Sequence, residues 1–424
     1  MNILRKFKTA KAVLKNHGLK EAGNLVIDNV SAFFKWIVMT VNKKVFRAAK
    51  RNRFIRTNKK NVSKLHILYI SSGYEAENGQ TVRYRVYNLI EALRGRAETI
   101  FELIESDFQK NDSLIRAADI IVLSRVDWSK KSEAVINTAK RFSVPVVFDI
   151  DDIIFMPAFV DNYCRVLGDT SEKNKKMRLY DFEKFEKVFL KCDYSTASTN
   201  YITDLMQQNG KSAFVIHNSL NNKQLRIAKN AANNTKKSNE LYISYLSGTK
   251  THDLDFKQVI PALTRIVKEY DNVKLSIVGY LNINDLPAQL KAKTETLSYM
   301  RWERLLKHSA QNYINLAPLD VDNPFCHAKS ELKYFEAAIV GVPTIASPTD
   351  TFKRCLTHRL NGMLASNEDE WYSALKALIE DKNLYENVKK NAFEHVMARY
   401  IPSAIADEAM KAYEQILTQY KKKK

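Results

Sequence analysis

Twice along this chain, short runs of continuous apolar residues alternate with stretches of helical periodicity, and that repetition leaves few folds open. The first series is LHILYIS (65–71), a helix near 82–94, TIFELI (99–104), DIIVLS (119–124), a helix near 131–141 and PVVFDI (145–150). A helical insertion at 170–191, YSTAST (194–199), a helix at 200–209 and AFVIHN (213–218) extend it. The second series is LYISYLS (241–247), a helix at 255–269, VKLSIVG (273–279), YINLAPL (313–319), a helix at 329–341, PTIAS (343–347), GMLA (362–365) and helices from 368 onward. A strand that is apolar along its whole length is covered on both faces, and strands separated by helices run parallel. The pattern therefore predicts two consecutive doubly wound α/β domains, 61–235 and 236–400, followed by a terminal helix and lysine tail at 401–424. The Asn-, Lys- and Ser-rich residues 221–240 read as the linker. Ligands of such sheets sit beyond the carboxyl ends of the strands, so the cleft between the domains is the expected site.

Length agrees, because 424 residues exceed what one core organises. The formal charge of +20 is not spread evenly. Residues 1–60 hold 16 Lys and Arg against Glu21 and Asp28, which is +14, and the lysines at 421–424 add +4, leaving +2 for everything between. A nearly neutral globular part without a nucleic-acid-binding motif argues against nucleic acid as a partner. Within 1–60, Val30, Phe33, Phe34, Ile37 and Val38 recur at helical spacing among lysines. Two readings stand: an amphipathic segment for an anionic membrane surface, where each basic residue adds about 1 kcal/mol, or a helical cap with a solvated basic face. The longest apolar stretch, VSAFFKWIVMTV, has 12 residues and is interrupted by Lys35, short of the roughly 20 that span a bilayer. It also lies too far along the chain, and without a small-residue cleavage site, to predict a secretory signal. Cys164, Cys192, Cys326 and Cys355 lack C-x-x-C spacing. That spacing predicts neither a disulfide framework nor a zinc cluster and suits a reducing compartment.

Chemistry-bearing residues cluster at strand ends. Lys329 and Ser330 fall where a helix is expected to begin, so unpaired backbone N–H groups, the helix dipole and the lysine charge together favour a phosphate. Glu336, a turn and a half later, points into the same cleft, unless it is a surface carboxylate paired with Lys333 or Lys329. In the loop 247–253, Gly248 lets the backbone approach a diphosphate beside Thr249, and Lys250 neutralises it. His252 in the same loop is more simply a capping or packing residue. Asp149, Asp151 and Asp152 close the PVVFDI strand. They read either as acceptor-side carboxylates, Asp151 orienting or deprotonating a hydroxyl, or as helix caps. A third reading is the metal-holding D-x-D of transferases built on one mixed sheet, the GT-A type. Arg83 and Arg85 open the first helix and suit a donor phosphate, an anionic acceptor or plain solvent. The loop before them lacks G-x-G-x-x-G, which removes the best marker of a dinucleotide dehydrogenase.

The segment NPFCHAKSELKYFEAAIVGVPTIAS (323–347) resembles the donor-binding signature of glycosyltransferase family four, of GT-B type. Residues 216–219, Ile-His-Asn-Ser, are similar to the I-P-N-G strand end that closes the first domain of such enzymes. SYLSGTKTHDLDF (244–256) resembles the opening of their second domain, and VVFDIDDIIF (146–155) a segment of bacterial polysaccharide members. The resemblance covers about 65–400 and leaves out the basic N-terminal segment. It implies two Rossmann-like domains facing a cleft and a retaining, metal-independent transfer that needs no cofactor. The implied partners are a nucleotide-diphosphate-sugar donor and a glycan or lipid-linked acceptor; the basic ends add an anionic membrane surface, which together place the chain in the cytoplasm, peripheral to the inner face of the membrane. It implies Glu336 as the ribose-binding glutamate and Asn218 on the donor side. Lys250 and Lys329 become the groups that stabilise the leaving diphosphate. One departure stands out: Ala328 occupies the place, eight residues before Glu336, where the family often has a glutamate for the donor sugar. Glu331 or His327 is the expected substitute. A non-catalytic sugar-nucleotide-binding protein shares every one of these features, since fold does not fix function.

Overall fold

The computed structural model describes residues 49–55, 64–72, 79–106, 112–234, 238–248 and 253–423. Residues 1–62 and 63–424 form two units. In the first, residues 49–55 are helical, and the rest of the basic segment, with the apolar positions at 30–41, lies outside the described residues.

The second unit holds two six-stranded sheets. β1 (Leu65–Ser71), β2 (Ala97–Leu103), β3 (Ile120–Ser124), β4 (Val146–Ile150), β5 (Tyr194–Ala197) and β6 (Ala213–Val215) lie in the order β2-β1-β3-β4-β5-β6. β7 (Leu241–Ser247), β8 (Val273–Gly279), β9 (Thr294–Leu297), β10 (Ile314–Ala317), β11 (Thr344–Ala346) and β12 (Met363–Leu364) lie in the order β12-β11-β10-β7-β8-β9. Every pairing is parallel. β1, β3 and β4 are buried almost residue for residue, because helices cover both faces. In each sheet the strand order reverses beside the first strand, between β1 and β3 and between β7 and β10. Loops leaving such a reversal diverge to opposite faces and open a crevice for ligands.

Four local features depart from the sequence reading. The helix expected at 255–269 is two, Asp253–Lys257 and Ile260–Glu269. Pro261 starts the second, since its missing N–H is tolerated only in a first turn. The expected linker is for most of its length the helix Asn222–Asn234. Its Leu225, Ala228 and Ala231, spaced by three, pack on the core of the second domain, a stripe hidden by the asparagines and lysines around it. The helix expected at 329–341 runs from Leu332 to Ala338, so Lys329 and Ser330 stand just before it. β9 and the helix Trp302–Ser309 were not anticipated, β9 because three of its four residues are exposed and polar patterning hides it.

The terminal helix Pro402–Lys422 belongs, by packing, to the first domain. Ile405, Ala406, Ala409, Ala412, Tyr413 and Ile416 join the core that contains Ile67, Tyr69, Val86 and Leu89. The Tyr69 and Tyr413 hydroxyls meet there at 2.9 Å. Glu408 on the same helix accepts from the His217 backbone N–H at 2.6 Å, which ties the chain's last helix to the exit of the first sheet.

Candidate functional site

The parallel register places Ser71, Ser124, Asp149 and Thr196 in one row at the carboxyl edge of the first sheet. Residues in one row share a face, so Ser124 and Thr196 flank Asp149 and donate their hydroxyls to it at 2.9 and 2.8 Å. Its remaining lone pairs receive the Arg85 guanidinium, 2.5 Å away at the nearest contact. Arg85 comes from the helix spanning residues 80–92, whose middle turn, Arg83–Tyr87, is a π-helix. A π turn carries an extra residue and re-aims the side chains around it, and here it buries Arg83, Tyr84 and Arg85. Arg85 also donates to the Ile216 carbonyl at 2.5 Å and to Asn218 Oδ1 at 3.2 Å. Asn218 in turn donates across to Ser330 Oγ of the second domain at 3.0 Å. Burial opposes the Arg85 charge, but Asp149 outweighs it and raises the arginine's pKa. Arg85 and Asp149, read from the sequence as acceptor-side groups, thus pair with each other, their side chains 1% and 3% exposed.

The next two carboxylates meet two other cations. Asp151 accepts from Thr81 Oγ1 and Arg125 Nη1, both at 2.9 Å. Burial works against its charge, yet the Arg125 guanidinium and the Thr81 hydroxyl hold the carboxyl below the usual range. Arg125 follows β3 directly and stands at φ 51, in the left-handed region that costs a non-glycine residue about 1–2 kcal/mol. Its N–H on the Asp149 carbonyl and the Ser72 hydroxyl on its own carbonyl keep it there. Asp152 receives Lys329 Nζ from the second domain at 2.9 and 3.1 Å. Burial disfavours the Lys329 charge, and Asp152 more than compensates, holding the pKa above its ordinary value.

Glu336 pairs with neither Lys333 nor Lys329. Its Oε1 accepts from the Tyr84 hydroxyl of the first domain and, at 3.4 Å, from Gln224 Nε2. Burial and the Glu336 carboxylate push the Tyr84 phenol well above its usual value, so it remains a donor. Arg83 is 5% exposed, its guanidinium 4.7 Å from the Tyr84 ring centre and 5.1 Å from that of Trp302. The solvated-arginine alternative therefore holds for neither Arg83 nor Arg85. His327 commits both ring nitrogens, to the Val321 carbonyl and the Asp350 N–H. Ala328 is wholly buried and Glu331 is 2% exposed.

Gly248 follows β7, and Ser247 Oγ donates to the Tyr280 carbonyl. At Gly279, with φ 100, a Cβ would stand 1.9 Å from the Ser247 carbonyl oxygen. Only glycine lets β8 end so close to the exit of β7. Thr249 and Lys250, with His252, lie outside the described residues.

Sequence reasoning missed Thr81, Tyr84, Arg125 and Gln224. Arg125 was findable, because it directly follows an apolar strand at the ligand-facing edge. Nothing local marks Gln224 within an Asn- and Lys-rich stretch, or distinguishes Tyr84 from any core tyrosine.

Two doubly wound parallel sheets whose ligand edges meet through Lys329–Asp152, Asn218–Ser330 and Glu336–Tyr84 make up a GT-B glycosyltransferase architecture. The single mixed sheet required by the GT-A alternative is absent from the described residues. Residues 241–381, about a third of the chain, match the family of glycosyl transferases group 1. A group 1 domain on this fold makes the chain an enzyme of the transferase class. Among solved structures, it is similar to HepE of Anabaena in complex with UDP, at 13% identity and TM-score 0.57, over 83% of this chain and 100% of that one. It is likewise similar to sucrose-phosphate synthase of Thermosynechococcus elongatus, at 14% identity and TM-score 0.57, over 84% and 100%. A third likeness is to a glycosyltransferase of Rickettsia africae, at 13% identity and TM-score 0.54, over 84% and 99%. No curated protein matches the sequence.

Proposed function

We propose that this chain moves a sugar from a nucleotide-diphosphate donor to a glycan or lipid-linked acceptor, with retention and without a metal, as a member of glycosyltransferase family four. The observation that carries the reading is the position of the 323–347 signature. Its Lys329 and Ser330 follow β10, and Gly248 follows β7, the two strands between which the second sheet reverses. Gly248, Thr249, Lys250, Lys329 and Ser330 hold the diphosphate and Glu336 the ribose, with Asn218 on the donor side beside Ser330. The bond from anomeric carbon to phosphate oxygen breaks with its electron pair going to the diphosphate, where Lys250 and Lys329 stabilise the growing charge. The acceptor oxygen bonds to the anomeric carbon and passes its proton to the departing diphosphate oxygen, which has gained the electron pair. Asp151, kept ionised and weakly basic by Arg125, orients that hydroxyl rather than deprotonating it.

HepE has been captured with UDP and with UDP-glucose, so uridine donors head the test. In a thermal-shift panel of nucleoside diphosphates and their sugars, a ligand at 100 times its Kd stabilises by about 2.7 kcal/mol. Stabilisation by none of them would sink the reading. Glu336→Gln keeps the shape and removes the charge, and hydrogen bonds to charged groups contribute about 1.5–3 kcal/mol. Nucleotide affinity should fall roughly 10- to 150-fold by calorimetry, and an unchanged affinity would remove Glu336 from the site.

The basic segment 1–60 holds the enzyme to the inner face of an anionic membrane. No helix among the described residues is long and apolar enough to cross one; the +14 charge of that segment supports attachment at an anionic surface. Deleting 1–60 should abolish co-sedimentation with anionic vesicles in a protein that still melts cooperatively. Retained co-sedimentation refutes the anchor.

A further inference from the structure

Three cations around the cleft have a carboxylate each: Arg85 has Asp149, Arg125 has Asp151 and Lys329 has Asp152. Lys333 has no ion pair among the described residues. Its Nζ donates to the Leu246 carbonyl at 2.9 Å and lies 4.1 Å from the Tyr245 ring centre. Both partners belong to the last residues of β7, and Leu246 is two residues before Gly248. The helix bearing Lys333 follows β10, so its ammonium crosses the sheet's point of reversal to reach β7. A partly buried ammonium without an ion pair gives up its proton more readily than a solvated one. Burial indeed pushes Lys333 down to about 8, with Asp255 offsetting only part of the effect.

Taking the donor reading above as its basis, we propose that Lys333 is a further cation of the donor site, facing the diphosphate from the end of β7 beside Gly248 and drawing a proton from solution as the nucleotide binds. A diphosphate carries at least two negative charges, while Lys329 is already bound to Asp152. An anion at Gly248 supplies the counter-charge that the site otherwise lacks. The titratable and charged groups facing Lys333 come from several elements. β7 presents Tyr245, and the helix Asp253–Lys257 presents Asp255, whose charge partly offsets the effect of burial. β10 presents Asn315, whose amide donates to the Lys333 carbonyl. On its own helix, Glu336 is turned to Tyr84, and Lys329 before it to Asp152.

The test is calorimetry of UDP, or of whichever nucleoside diphosphate the thermal panel selects, in buffers of different ionisation enthalpy. At pH 8.5 its phosphates are fully ionised, and a lysine near 8 that returns to its ordinary value on binding takes up roughly 0.7 proton. Affinity should fall roughly eightfold from pH 7.5 to 9.0 as the empty-state lysine loses its proton. Lys333→Arg keeps a cation that does not titrate, so it should bind with neither the proton uptake nor the fall. Lys333→Met should bind weakly at both pH values. Wild-type binding without proton uptake at pH 8.5 overturns the proposal, as does uptake that survives in Lys333→Arg. A wild type that binds no nucleoside diphosphate at any pH instead overturns the donor-site reading, and this proposal with it.

Discussion

Asp149→Ala is expected to destabilise the protein by about 3–5 kcal/mol, because it leaves the Arg85 charge buried without its carboxylate. Arg85 cannot escape by losing its proton, nor by turning to water, its side chain being 1% exposed. What remains to it is the Ile216 carbonyl and Asn218 Oδ1, both neutral. The hydroxyls of Ser124 and Thr196 lose their acceptor at the same time. Urea unfolding should show a lower midpoint with an unchanged slope. The double variant Arg85→Met, Asp149→Leu should recover most of the loss, since a buried pair replaced whole by apolar groups is often neutral. A loss below 1 kcal/mol in the single variant would mean that Arg85 finds another partner. The same pair joins β4 to the π turn and, through Asn218, to Ser330. Donor affinity in any folded residue of Asp149→Ala should therefore also suffer.

Lys329→Met should lower turnover by about 100- to 1,000-fold, the usual effect of removing one group that stabilises charge in the transition state. The nucleoside alone should bind the variant as it binds the wild type, because the partner assigned to Lys329 is phosphate. Asp152→Asn acts on the same contact from the other domain with the opposite sign. It releases Lys329 from the carboxylate that holds it at 2.9 Å, so diphosphate donors should bind more tightly and the nucleoside no differently. Steady-state rates and calorimetry on both variants decide the matter. Turnover of Lys329→Met within threefold of wild type rejects the role, as do donor affinities that move in the same direction in both variants.

Much of the site's outline was legible in the chain. Lys329, Ser330, Glu336 and Asn218 were singled out from strand ends and a signature, and the fold joins all four to the inter-domain contacts. Arg85 and Asp149 were singled out too, but as ligand-facing groups. Nothing local says that an arginine in the second turn of a helix will be turned inward, since that depends on a π turn which no residue in RYRVY announces. The helix Asn222–Asn234 was obscured for a related reason: its apolar stripe is small, and its meaning appears only with the surface it covers.

What the sequence determined by itself is the class of architecture. Strand and helix periodicities are written in neighbouring residues, and a chain with two such alternations has few ways to bury them other than two covered parallel sheets. Tertiary structure alone decided which cation meets which carboxylate and to which domain the last helix belongs. Asp152 and Lys329 are 177 residues apart, Tyr84 and Glu336 252, and Tyr69 and Tyr413 344. The charges of Lys329, Lys333 and Lys250 are alike in the sequence. Folding gives Lys329 a counter-ion and leaves Lys333 against a neutral carbonyl, because the field a side chain feels is set by what surrounds it in space rather than along the chain.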